Sequence, residues 1–157
     1  MRKLATIAPS FWLSDDAENL IHRGHDYLAV LVYLWTGPET PVCGLMPLAT
    51  AQIAAKLRIR PQKVEAVLIE LQDAGLIDHD GRLIWLKGYI EVQLGGMPNM
   101  SGSWIANTSN ALSALPDCDL VSRYRDHYKV PKDCRKPKKR KTKKVAATGV
   151  TEQGPRQ

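Results

Sequence analysis

The chain contains one phenylalanine in 157 residues, and aromatic side chains of all kinds make up only 6%. Cysteine is equally sparse. Cys43, Cys118 and Cys134 are odd in number and widely spaced, with no Cys-x-x-Cys, which fits free thiols in a reducing compartment better than a disulfide framework. Long apolar runs are missing too. The longest, Tyr27 to Trp35, is nine residues, far below the ~20 that a membrane-spanning helix requires. Met1-Arg2-Lys3 leads into mixed polar sequence with no long apolar segment, so no secretory signal is expected, and the chain reads as cytoplasmic with no membrane partner.

Catalytic signatures are lacking as well. There is no glycine-rich phosphate loop and no serine or cysteine nucleophile motif. His22-x-x-His25 has no thiol or acid pair to complete a metal set, and Cys118, His127 and Cys134 do not form a recognisable one. Asp78-His79-Asp80-Gly81 begins like a calcium loop but lacks the remaining ligands, so it reads as a hairpin turn. The expectation is a protein that is not an enzyme and holds no metal or cofactor.

Negative charge is scarce in one region. From Lys129 onward there are 11 basic and 2 acidic residues, whereas residues up to Tyr128 include 11 basic and 14 acidic ones. The formal net charge of +6 is therefore a −3 body and a +9 tail. Large apolar residues almost vanish after Lys129, so residues 129–157 are expected to form a disordered basic tail after a folded body of residues 1–128. The block of Lys136, Lys138, Lys139, Arg140, Lys141, Lys143 and Lys144 can engage nucleic-acid phosphates without reading sequence. A plain solubilising role and a nuclear-import signal are the other readings of that block.

Within the body, Ser14-Asp15-Asp16 marks a helix start and Gly24 a stop. Leu28, Leu31, Val32 and Trp35 recur at helical spacing, predicting a largely buried helix over 25–35. Cys43 to Leu48 reads as a short extended stretch. Thr50 can cap a helix over 51–57, and Pro61 can open a second that buries Val64, Val67, Leu68 and Leu71 and stops at Gly75. Leu76-Ile77 and Leu83 to Leu86 then flank the turn over 78–81, a hairpin signature. Tyr89 to Leu94 reads as another extended or packing segment and Gly95 to Asn99 as a loop, followed by helices over 103–115 and 117–128. Helix, tight turn, helix and hairpin in this order (about residues 43–88) predict a mainly α protein with a small β-hairpin: a winged helix-turn-helix with extra N- and C-terminal helices.

Three stretches carry a resemblance: Leu48 to Leu57, Lys63 to Ile77, and Leu83 to Ile90. Together with Ile7-Ala-Pro-Ser-Phe-Trp and Ala111 to Tyr124, they resemble the N-terminal winged-helix domain of phage replisome-organiser and replication-initiation proteins, over roughly residues 5–128. The resemblance implies binding of double-stranded origin DNA, recruitment of a replicative helicase or its loader, and no catalysis by this domain. That family's inter-helix turn often reads Leu-Gly-Ile, with Ser or Thr before the second helix. Here Arg58 stands in the glycine's place and Arg60 in the cap's.

The segment from Lys56 to Lys63 holds Lys56, Arg58, Arg60 and Lys63 and no acid. In a helix-turn-helix the start of the second helix enters the major groove. Arg60, Gln62, Lys63 and Ala66 lie off the buried face and are the expected base-reading residues: arginine for guanine, glutamine for adenine, alanine for a thymine methyl. Lys56 and Arg58, with Arg82 and Lys87 flanking the hairpin, are expected to contact phosphates. Ile69 lies off the main apolar stripe and is expected to pack on an N-terminal element or a partner in preference to DNA. Two other functions fit the same residues: a winged-helix transcriptional regulator, and a protein-interaction adaptor such as a helicase-loader accessory.

Overall fold

The computed structural model describes residues 5–94 and 101–132. A short 3-10 turn, Pro9–Leu13, leads into α1 (Asp15–Arg23) and α2 (His25–Thr36), followed by β1 (Leu45–Pro47), α3 (Thr50–Leu57) and α4 (Pro61–Asp73). Then come β2 (Ile77–His79), β3 (Leu83–Leu86), α5 (Tyr89–Leu94), α6 (Gly102–Ser113) and α7 (Asp119–Tyr128). The protein is mainly helical with one three-stranded antiparallel sheet in the order β1-β3-β2. Among the described residues, no helix is long and apolar enough to cross a membrane.

Local signals set most element ends. The Ser14 hydroxyl accepts from the Ala17 amide, and Asp15, Asp16 and Glu18 occupy the first turn of α1, where the helix dipole favours negative charge. Pro61 is the first residue of α4. Gly75 takes φ +74°, and the Leu76 amide donates to Leu71 O at 3.0 Å, the closure that glycine permits without a Cβ clash. Thr50 belongs to α3 itself, and Ala49 at its N-cap makes no side-chain cap bond.

The hairpin differs from expectation in register. His79 pairs with Ile84 and Asp78 with Trp85, so Asp78 and His79 belong to β2 and the connection runs over Asp80, Gly81 and Arg82. Asp80 Oδ1 accepts from the amides of Arg82 at 2.9 Å and Leu83 at 2.8 Å, while Gly81 takes φ +84°, as such tight turns require. The sheet also gains a third strand: β1 pairs with β3 in register Leu45–Trp85.

The Leu83 amide first, then that of Arg82, holds the Asp80 carboxyl below the usual carboxylate range. A depressed folded pKa contributes stability at neutral pH, and that stability is lost from about pH 5 downward, through the lowered folded value. Asp80→Asn keeps an acceptor oxygen without the charge. Its urea midpoint is therefore expected to fall less between neutral and acid pH than that of the wild type. Equal acid slopes would mean that the carboxylate charge contributes nothing to the turn.

All four residues of β3 are buried. Alternation sends Ile84 toward α2 and α3, where it shares a small cavity lining with Leu34 and Ile53. Trp85 faces the other way and packs against Tyr124, His127 and Tyr128 of α7. The Tyr124 hydroxyl donates to Cys43 O at 2.7 Å. The sheet thus lies between α2–α4 on one side and α7 on the other, within one core.

Two further expectations are corrected. Residues Tyr89 to Leu94 are helical, because burying Tyr89 and Ile90 outweighs a sequence that reads as extended. Nor does the folded body stop at Tyr128. Lys129 turns the chain with φ +53°, Val130 is buried, and Pro131 O accepts from Ser109 Oγ at 2.8 Å and Arg125 Nη1 at 2.7 Å. Residues 129–132 are thereby clamped onto α6 and α7. The expected loop at 95–99 and the basic block from Lys136 to Lys144 lie outside the described residues.

Candidate nucleic-acid interface

The α3-turn-α4 unit is built on Ile53, Ala54, Val64, Val67, Leu68 and Leu71, all buried. Their burial leaves the opposite surface of the turn exposed. Arg58 closes α3 in the left-handed region at φ 57°, ψ 37°, a conformation costing an L-residue about 1–2 kcal/mol. Its amide donates to Ala54 O, and the Ile59 amide reaches the same oxygen at 3.0 Å. Arg60 is the N-cap of α4 at φ −64°, ψ 138°, and no side chain caps that helix. Arginine therefore stands at two positions where glycine and serine would be more stable.

Lys56, Arg58, Arg60, Gln62 and Ala66 are exposed. The structure brings them together around the α3–α4 turn and the first turns of α4. Arg82 is also exposed, at the tip of the hairpin. Its backbone is fixed by the Leu48 amide, which donates to Arg82 O at 2.7 Å just before α3.

Two lysines are not presented on that surface. Lys63 Nζ sits 4.7 Å from the Tyr27 ring centroid and 3.4 Å from the Tyr27 hydroxyl. It is drawn inward against α2 and away from Gln62 and Ala66. Lys87 Nζ lies 3.5 Å over the Trp85 ring and 3.7 Å from Asp78 Oδ2, so its charge is engaged within the hairpin. Asp78 is further paired with Arg123 of α7, which also bonds Asp119.

Around Lys63 lies a network that the sequence does not announce. Tyr27 donates to Glu70 Oε1 at 2.6 Å, and Arg23 Nη1 lies 2.5 Å from Glu70 Oε2. The Tyr27 hydroxyl foremost, then the Arg23 guanidinium, holds the Glu70 carboxyl below its ordinary range. This ties α1 and α2 to α4 and fixes the helix axis from behind. Nothing in the spacing signals it, because Tyr27 and Glu70 are 43 residues apart.

Ile69 does not enter the core and is 56% exposed. Among the described residues, no group of three or more His, Cys, Asp or Glu side chains is placed to hold a metal ion. No family model, curated protein or solved structure matches this chain.

Proposed function

We propose that this chain is a winged-helix protein that binds double-stranded DNA sequence-specifically, through the α3–α4 turn and the N-terminal half of α4, in the initiation of phage-type DNA replication. The observation that carries the DNA-binding reading is the exposed set Lys56, Arg58 and Arg60, held at two backbone positions that arginine fills at a cost to stability. Residues that break local rules without a stabilising return are expected where function selects them. Arg60, Gln62 and Ala66 read bases; Lys56, Arg58 and Arg82 contact phosphates. Lys63 supports α4 through Tyr27. The β2–β3 hairpin serves as the wing. The replication role, with a helicase or its loader as protein partner, rests on the resemblance of residues 5–128.

Gel shifts on duplex fragments at several salt concentrations test this reading. The full-length Lys56→Ala/Arg58→Ala/Arg60→Ala variant is expected to lose selectivity among fragments. Its salt slope should be shallower by about 0.9 for each phosphate contact removed. Equal binding of every fragment by wild type and variant would falsify site-specific recognition by α4. A fragment preference confined to promoters would favour a transcriptional role over origin binding.

A further inference from the structure

Helix α4 exposes two apolar residues, Ala66 and Ile69, that the core does not use. Successive helical residues advance by about 100°, so Gln62, Ala66, Ile69 and Asp73 line up opposite the face formed by Val64, Val67, Leu68 and Leu71. All four are exposed. Ile69, at 56% exposure, is a large aliphatic side chain on the outside of a well-packed helix. Being β-branched, it also has lower helix propensity than Lys, Glu or Gln. Neither packing nor propensity accounts for it.

We propose that Ile69, with Ala66, is a base-reading contact that recognises the C5 methyl groups of thymine in the major groove. The inference rests on the duplex-binding reading above and extends it past the N-terminal half of α4, to Ile69, and to the chemistry of the target. Ile69 continues the line that begins at Gln62, seven residues and about 10 Å along the axis, or about three base pairs of duplex. The major groove admits a helix at this depth, and the thymine methyl is its one apolar feature. A protein partner fits this surface poorly. Ile69 and Ala66 are flanked by exposed Gln62, Glu65, Gln72 and Asp73, so the apolar centre that a protein interface is built around is here only two side chains wide. Among the described residues, the other exposed large hydrophobics are Trp12, Leu13, Ile21 and Val42, on the 3-10 turn, on α1 and before β1. Asp73, one turn beyond Ile69, ends the line of exposed small and apolar residues.

The test uses a short duplex that the full-length protein selects from a random-sequence library. Each thymine is then replaced singly by deoxyuridine, which removes only the methyl. At the thymine under Ile69, deoxyuridine is expected to weaken wild-type binding about fourfold, the effect of one buried methyl-sized group. Ile69→Ala is expected to weaken binding to the thymine duplex by at least that factor and to be indifferent to deoxyuridine at that position. Ile69→Val should keep the response. Indifference of the wild type to every deoxyuridine overturns the inference while duplex binding stands. So does a full deoxyuridine response in Ile69→Ala. Failure to enrich any duplex overturns the duplex-binding reading and the inference with it.

Discussion

The Arg58→Gly/Arg60→Ser double variant is expected to unfold at higher urea than the wild type and to bind DNA more weakly. Arg58 has φ 57°, where glycine avoids a Cβ clash but loses some of the gain to its freer unfolded state. A serine at position 60 supplies an N-cap that α4 lacks, typically worth ~1 kcal/mol. The two sites are neighbours, so their effects are not simply additive, and a combined gain of about 1–2 kcal/mol is expected. On the binding side, losing a bidentate arginine–guanine pair costs ~1–3 kcal/mol, roughly 5- to 150-fold, and losing a phosphate contact flattens the salt slope by about 0.9. Urea midpoints and gel shifts at two salt concentrations report the two effects separately. Higher stability with unchanged DNA affinity would remove both arginines from the interface. Lower stability would mean that side-chain packing of the arginines, and not the backbone geometry, governs the turn.

Elements announced by local chemistry are legible in the sequence alone. Ser14 caps α1, Pro61 opens α4, Gly75 closes it, and Asp80 organises the hairpin connection. The unfavourable placement of Arg58 is legible too, through the resemblance, whose family often has glycine at that place. What the sequence conceals depends on partners distant along the chain. Lys63 looks like a free charge beside Arg60 until Tyr27, 36 residues earlier, is seen to hold it. Lys87 is a different case. It follows directly on β3, so Trp85, two residues earlier, is a partner close at hand once β3 is assigned. Val130 is a lone aliphatic residue in a basic run, and its burial follows from the left-handed turn at Lys129, which composition does not announce. The helix over Tyr89–Leu94 likewise reflects tertiary packing overriding a β-rich composition.

Trp85→Ala is expected to cause the largest loss of stability among single substitutions in the sheet. The side chain is 2% exposed, with ring centroids of His127, Tyr124 and Tyr128 at 5.2, 5.3 and 5.9 Å and the Lys87 ammonium 3.5 Å above it. Truncating a buried tryptophan to alanine costs ~3–5 kcal/mol, a large share of a total of roughly 5–15 kcal/mol. The loss should not be uniform. Trp85 is the apolar link between β3 and α7, so α7 amides are expected to lose hydrogen-exchange protection ahead of those in α2 and α4. Trp85→Phe retains the ring contacts and should lose much less. DNA binding should also weaken in Trp85→Ala, because β3 is the central strand and its start at Leu83 fixes the connection that carries Arg82. A loss below about 1 kcal/mol, the level of an ordinary surface change, would mean that α7 docks independently of this cluster. In that case buried Leu120 and Val121, with the Asp78–Arg123 pair and the Tyr124–Cys43 and Tyr128–Glu91 hydrogen bonds, would hold α7, and most of that hold would be apolar burial, since a partly exposed ion pair and single hydrogen bonds contribute little each.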